Sequence, residues 1–488
     1  MKSNPLLIDL YQMTMAQAYF REGMTSAEAS FTYSFRDNPF GGGFAVFAGT
    51  EGLIQYLENW GFDEADCQWL STLKAPDGTD LFSKDFLDYL QTLNADFEIV
   101  AAPEGSIVFA TEPVVRVTGS LIATQMLETV LMNRLNFETL IATKAARCYI
   151  AAEGDPVLEF GLRRAQGPNG GISASRAAYI GGCSATSNLE AARIFGIPTA
   201  GTHAHSWVTA HDSEKEAFQA WTRSSANNSI LLVDTYDSLA GIAAAIEAGV
   251  ELEAKGGTFT GIRLDSGDLA WLSKRARAML DDAGLNHVKI YASNDLDEHT
   301  ISSLKAQGAL IDSWGVGTRL ATGGNQPALG GVYKMTAFRN SPDCPWQPKI
   351  KVSDQAVKTS TPGIQAVRRF FNEKDRPVGD MIYDALNPPA DDLAAVIVDP
   401  LDMTRQKTFE PQAKSSELLH VLFERGKSFN NNDDVHSIRD RCLAGLSALD
   451  RSHQRFMRPH RYPVGLERSL FEKRIDMISA YKGVHDVL

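Results

Sequence analysis

Cysteine is scarce and scattered in this 488-residue chain: Cys67, Cys148, Cys183, Cys344 and Cys442 make five, and no two form a C-x-x-C pair. An odd, dispersed set excludes a disulfide framework or a zinc ribbon. Long apolar runs are missing too. No uncharged stretch approaches the roughly 20 residues that cross a bilayer, and the apolar run in MKSNPLLIDLYQMT is interrupted by Asp9 before it can form the core of a signal peptide. Positive charge is in the minority, 47 Lys and Arg against 60 Asp and Glu, a net charge of −13. Such a field repels polyanions, so no nucleic-acid partner is expected and any anionic substrate must find a local basic pocket. No strong repeat or low-complexity tract stands out. With 44% hydrophobic and 22% charged residues the composition is that of a globular chain, and together these absences lead us to expect a reduced, cytoplasmic protein with no membrane partner.

The pattern along the chain predicts an α/β protein. A helix is expected at LIDLYQMTMAQAYF, a strand at Ala29–Phe35, helices to about residue 93, and short Val-rich strands in EIVAAPEGSIVFATEPVVRVTG. From about residue 155 short apolar runs recur at βα spacing: Val157–Phe160, Ile197–Gly201, Ile230–Val233, Thr260–Leu264, Val288–Tyr291 and Ile311–Val316. Parallel strands with crossover helices follow, and six in line predict a TIM-like αβ barrel. We place an N-terminal α/β domain at 1–150, the barrel at 151–340 and a C-terminal region, ending in helical patterns, at 341–488. In a barrel the chemistry lies past the carboxyl ends of the strands. Those positions hold Arg163, Arg164, His203, His205, Asp234, Asp265, Asn294, Asp295, Gly317 and Thr318.

Several of these residues admit two readings. His203-Ala204-His205 has an H-x-H core that suits two metal ligands, but no further histidine falls at a predicted strand end; structural burial or catalytic use of one ring are the other readings. Asp265 can cap the helix that follows it, or, with Arg263 two residues earlier on the same side of the strand, hold a phosphate or ribose hydroxyl. The glycines of Trp314-Gly315-Val316-Gly317-Thr318 let backbone N–H groups approach an anion, yet Leu320 stands where a dinucleotide fingerprint needs glycine. Phe160 followed by Arg163 and Arg164 reads either as a core aromatic beside a solvated basic face or as an aromatic platform beside a cationic fork. Leu231–Asp237 has a strand and acids but not the adjacent acid pair and Thr-Gly loop of type I phosphoribosyltransferases, so we assign it no PRPP binding.

Taken together, DLYQMTMAQAY at 9–19, EFGLRRAQGPNGG at 159–171, GTHAHSWV at 201–208, GIRLDSGDL at 261–269, YASNDLDE at 291–298, GVGTRLATGGNQPALGGVYKM at 315–335 and KVSDQAVKTSTPG at 351–363 resemble the nicotinate phosphoribosyltransferase family. The resemblance implies an irregular αβ barrel beside an α/β domain to which the C-terminal region returns. It also implies a reaction, the union of nicotinate with 5-phosphoribosyl-1-pyrophosphate (PRPP) to give nicotinate mononucleotide and pyrophosphate. ATP hydrolysis would be coupled through a phosphohistidine, with Mg²⁺ as the metal.

By the same resemblance Phe160 underlies the pyridine ring, and Tyr11 covers it from the neighbouring subunit of a homodimer. Arg163 and Arg263 surround the nicotinate carboxylate and ribose phosphate, and Asp265 holds the ribose hydroxyls. Ser293, Asn294, Gly317 and Thr318 bind phosphate and sugar, while Arg36 and Lys351, with Lys358 in the same stretch, reach the pyrophosphate. His205 is the phosphorylated histidine and His203 its neighbour. Ser184 stands where the amide-using relative, nicotinamide phosphoribosyltransferase, carries an aspartate, which implies a preference for the acid. The amide-using enzyme, a metal-dependent barrel hydrolase built on His203 and His205, and a non-catalytic binding protein are the rival readings.

Overall fold

The apolar alternation around Phe31, Tyr33 and Phe35 becomes strand β1 (Glu28–Phe35). It is preceded by a helix, Leu10–Arg21, opened by a capping box between Asp9 and Gln12. We identified these elements in a computed structural model that describes residues 4–58, 60–225, 229–355, 358–429 and 433–482. The chain divides into two units, Met1–Thr139 with Ala328–Asp433 and Ala444–Leu488, and Leu140–Pro327 with Asp434–Leu443.

In the first unit β1 is followed by β2 (Ala45–Val46), β3 (Phe97–Ala101), β4 (Ile107–Val108) and β5 (Val115–Ser120). Strand β1 pairs antiparallel with β5, and β5 with β3. The Val-rich strands expected around residues 97–120 are all present. The other neighbour of β1 comes from far along the chain, in Gly331–Arg339, with Phe35 opposite Gly331. A second, six-stranded sheet built from residues 365–417 and 464–467 joins the helices of the C-terminal region. The sequence pattern there does not announce these strands, because edge positions such as Asp402–Phe409 are mostly exposed and carry no apolar alternation.

The second unit holds six parallel strands: β6 (Val157–Glu159), β7 (Ala185–Thr186), β8 (Ile230–Leu232), β9 (Gly261–Leu264), β10 (Lys289–Ala292) and β11 (Ser313–Val316). Their order is β7-β6-β11-β10-β9-β8, every neighbouring pair parallel. Five of the six predicted runs are strands. The sixth, Ile197–Gly201, contributes only a bridge between Thr186 and Thr199, and the strand lies earlier, in β7. Pro198 explains part of this, since it has no N–H to give a ladder.

Strand pairing among the described residues leaves this sheet open between β7 and β8. The segment after Pro198 spans that gap. Ala200 N donates to Thr186 O on one edge (3.0 Å), and Leu232 N donates to His203 Nε2 on the other (3.2 Å). Behind the strands the helices Ser238–Ala254, Leu269–Asp282 and Glu298–Ala306 are capped by Asp237, Asp268 and Asp297, whose carboxylates accept from backbone N–H groups of the first turn.

Candidate active site

Each of those capping aspartates lies three residues after a polar residue that ends a strand: Asp234 before Asp237, Asp265 before Asp268, Asn294 before Asp297. The cap is thus supplied by the second residue of each pair, and the first is released for other work. Asp265 is not the helix cap. Read across the sheet, the carboxyl ends present Asp234, Asp265, Ser293 with Asn294, Gly317 with Thr318, Phe160 with Arg163, and Ser187.

A cavity of about 1070 Å³ runs along the sheet, lined at this end by Phe160, Ser187, Thr202, Arg263, Ser293 and Gly315. A smaller one of about 330 Å³ shares Phe160, Ser187, Thr202 and Arg263 and adds Arg163 and His203. Ligand sites of small molecules commonly enclose roughly 300–1,000 Å³, so the space suits a nucleotide-sized ligand. Phe160 keeps its place because Gly315 has no side chain: a Cβ there would come within 2.8 Å of the phenyl ring. Glu159 anchors the turn beneath it. Its buried carboxylate accepts from Ser175 Oγ (2.9 Å), Thr186 Oγ1 (2.6 Å) and Gly161 N. The Arg263 guanidinium carbon lies 5.7 Å from the Phe160 ring centroid, within cation–π reach.

Arg263 is held at every nitrogen: Nε donates to Ser293 Oγ (2.7 Å), Nη1 to Thr202 Oγ1 (2.9 Å) and Nη2 to Asp265 Oδ1 (2.9 Å). Ser293 Oγ in turn donates to Asp265 Oδ1. Burial alone would raise the Asp265 carboxyl, but the Ser293 hydrogen bond and the Arg263 guanidinium, with His205 nearby, hold it below its ordinary value. The acid is ionised at neutral pH. Next to Ser293, Asn294 adopts φ +125°, a conformation that costs a non-glycine residue about 1–3 kcal/mol and concentrates at functional sites.

The two histidines part company. His203 is buried (4% exposed), its Nδ1 donating to Ala204 O (3.3 Å) and its Nε2 accepting from Leu232 N. Desolvation pushes its pKa down to about 4. With both nitrogens engaged by backbone it is a neutral seam residue, so the H-x-H pair does not offer two free metal ligands. His205 begins a short helix, His205–Thr209. Its Nδ1 meets Thr235 Oγ1 at 3.1 Å, and its Nε2 faces Asp265 Oδ2 at 3.8 Å and Asp234 Oδ1 at 3.9 Å.

Asp234 was expected at a strand end, but no role was assigned to it. Its side chain is 1% exposed. Oδ2 accepts from Asp265 N (3.0 Å) and Ser266 Oγ (2.6 Å), while Oδ1 has no hydrogen-bond partner. A buried carboxylate oxygen left so calls for a cation or a donor from a ligand. The repeated acid-x-x-acid spacing at the strand ends is the signal that finds it.

In the first unit the structure brings Arg36 and Lys351 into the electrostatic neighbourhood of a third cation, Lys334. Burial lowers the Lys334 pKa and the other two cations lower it further, against the pull of Glu128. Lys358 is exposed. Tyr11 sits on the first helix, 46% exposed, its phenol pushed up to about 12 by burial and by Glu128 and Asp9. Ser184 immediately precedes β7 and is not part of either cavity lining.

Comparison with known proteins bears on this arrangement. Family models described as the nicotinate phosphoribosyltransferase N-terminal domain, family and C-terminal domain match residues 6–136, 157–382 and 364–474. The nicotinate phosphoribosyltransferase of Bacillus subtilis is 41% identical over 476 residues, covering 97% of this chain and 95% of its own. That of Bos taurus is 32% identical, covering 98% and 97%. The crystal structure of human nicotinic acid phosphoribosyltransferase superposes with a TM-score of 0.80 at 29% identity, over 97% of this chain and 99% of that one. The fold is thus that of an enzyme of phosphoribosyl transfer. The chain belongs to the nicotinate phosphoribosyltransferase family.

Proposed function

We propose that the protein joins nicotinate to PRPP, releasing pyrophosphate and forming nicotinate mononucleotide for NAD salvage, with ATP hydrolysed through a phosphohistidine at His205. The observation that carries the reading is the Arg263–Asp265–Ser293 cluster beside the Phe160 ring. A pyridine ring stacks on the phenyl face, its carboxylate faces Arg263 and Arg163, and its nitrogen is directed at C1 of the ribose. The ring nitrogen forms the N–C1 bond as the C1–O bond to pyrophosphate breaks and its electron pair leaves on the pyrophosphate. Asp265, ionised, accepts from the ribose hydroxyls and steadies the positive charge that develops on the sugar. Ser293, Asn294, Gly317 and Thr318 hold phosphate and sugar.

The unpartnered Oδ1 of Asp234 and Oδ2 of Asp265 fit the needs of Mg²⁺, which commonly takes one or two carboxylates with substrate phosphates and water. Bound there it supplies charge neutralisation for phosphate oxygens. The acid is preferred over the amide because two arginines favour a carboxylate, and Ser184 adds no negative charge. The active unit is a homodimer. Leu7, Leu10, Tyr11 and Met15 leave an apolar stripe of the first helix and the residues before it exposed, and a second copy covering it takes Tyr11 as the second wall of its pyridine site. We place the enzyme in the cytoplasm, with nicotinate, PRPP and ATP as its partners. Among the described residues no helix is long and apolar enough to cross a membrane.

Pyrophosphate release measured with nicotinate, PRPP and Mg²⁺, with and without ATP, tests the reading. Turnover stimulated by ATP is expected, and equal turnover of nicotinamide would overturn the specificity. Mixing Tyr11→Ala with Asp265→Ala protein is expected to restore part of the activity through hybrid dimers. A fully active monomer on a sizing column would contradict the shared site.

A further inference from the structure

His205 is held by one side chain, and that side chain belongs to a turn fixed at both ends. Its ring is half-exposed, 44%, so it has no need of a protein partner to satisfy its nitrogens. It nevertheless meets Thr235 Oγ1 at 3.1 Å through Nδ1, and this contact turns Nε2 toward the carboxylates of Asp265 and Asp234. The turn that carries Thr235 has little freedom. On one side Asp234 is tied through Oδ2 to Asp265 N and Ser266 Oγ; on the other, Asp237 accepts from Ala240 N to cap the next helix (2.9 Å). Groups clamped in this way hold a reacting side chain in one orientation more closely than solvent can.

We infer that Thr235 is the positioning residue of His205 for phosphoryl transfer from ATP, an inference that rests on the phosphohistidine reading above. A threonine hydroxyl can donate or accept. Accepting from Nδ1–H, it keeps the proton on that nitrogen and leaves the lone pair of Nε2 as the nucleophile, aimed at the side where the two acids stand. Nε2 then bonds to the γ-phosphorus as the bond from that phosphorus to the bridging oxygen breaks, and the electron pair leaves on ADP. The Nδ1 proton remains on the ring, shared with Thr235 Oγ1. The positive charge that appears on the imidazole is stabilised by Asp234 and Asp265, much as a carboxylate steadies the imidazolium in hydrolase triads. Water later attacks the phosphorus, the N–P pair returns to Nε2, and inorganic phosphate and a proton leave.

The test compares Thr235→Val, which keeps the shape and loses the hydroxyl, with Thr235→Ser, which keeps the hydroxyl. The rate of acid-labile labelling of the protein by γ-labelled ATP is measured in each and in His205→Asn, alongside ATP-independent transfer. Loss of a hydrogen bond of this kind amounts to about tenfold in rate. The valine variant is expected to label at least that much more slowly, the serine variant to label nearly as the parent does, and His205→Asn not at all. ATP-independent transfer should fall far less than labelling in the valine variant. Labelling of the valine variant at the parental rate overturns the inference, and so does equal loss in the serine variant or equal loss of labelling and transfer. If the parent protein takes up no acid-labile label, or takes it up undiminished as His205→Asn, the phosphohistidine reading itself falls and this inference falls with it.

Discussion

Two Arg–Asp pairs in this molecule have the same chemistry and different surroundings. In the first unit Arg369 and Asp380 face each other across paired strands, Gln365–Phe371 and Pro377–Asp384. Arg369 Nε and Nη2 donate to the two carboxylate oxygens at 2.9 and 2.6 Å, and Nη1 donates to Ile107 O at 2.8 Å. Tyr462 Oη adds a bond to Asp380 Oδ1 (3.0 Å), and Asp380 is fully buried. A second carboxyl, Glu112, lies 3.8 Å from the guanidinium and is also sealed from water. Burial and the Asp380 charge push its pKa well above the ordinary value.

In the second unit Arg263 and Asp265 lie two residues apart at the end of one strand. They keep 15% and 27% of their side chains exposed, and around them Asp265 Oδ2 and the unpartnered Asp234 Oδ1 face His205. The closed pair is sealed from water, and both of its partners are held by protein atoms, as suits a role in the fold. The open one leaves carboxylate oxygens unspent, as a site that must bind charged ligands requires. An Arg–Asp pair is therefore informative about function only through what its neighbours leave unsatisfied.

The largest expected effect comes from breaking the closed pair. Asp380→Ala leaves a buried guanidinium without its partner and should cost about 3–5 kcal/mol of stability in urea unfolding; a loss under about 1 kcal/mol would remove the structural assignment. Opening the other pair should do the reverse. Arg263→Ala is expected to lower kcat/KM for nicotinate by about 10²–10³-fold, with a loss of stability below that of Asp380→Ala, and a larger drop in stability with intact kinetics would invert the comparison.

His203 offers a finer test of the seam. His203→Phe strands the Leu232 N–H and should cost about 1–3 kcal/mol. The wild-type protein should lose stability as pH falls from about 6.5 toward about 4. Over that range the unfolded histidine takes up a proton that the folded one, with its depressed pKa, refuses. The slope is about 1.4 kcal/mol per pH unit. Urea titrations at several pH values should show this component missing from the variant. The smallest effect belongs to Glu112→Gln. Because burial and the Asp380 charge favour its neutral form, the amide should shift stability by less than about 1 kcal/mol near pH 7, the range of a near-isosteric change. A loss as large as that of Asp380→Ala would mean that the carboxyl is ionised.

Much of this was legible from the order of residues. Five of the parallel strands follow from short apolar runs at βα spacing, because strands buried on both faces need such runs and crossover helices need that length. The strand-end positions of Phe160, Arg263, Asp265 and Ser293 follow from the same pattern, since a side chain's place along a strand is a local matter. The roles of neighbouring like residues were not legible. Asp265 and Asp268, or His203 and His205, differ little in local sequence. Only the fold sends one aspartate to a helix N-terminus and the other to Arg263, and one imidazole to the N–H of Leu232 and the other to Thr235. The role of Asp234 escaped notice for the same reason, and so did the pairing of β1 with Gly331–Arg339, some 300 residues away. Local pattern determines which residues are buried and which end a strand. Which hydrogen-bonding atoms are consumed by the fold, and which remain for a ligand, depends on groups distant in sequence and was decided by the tertiary structure.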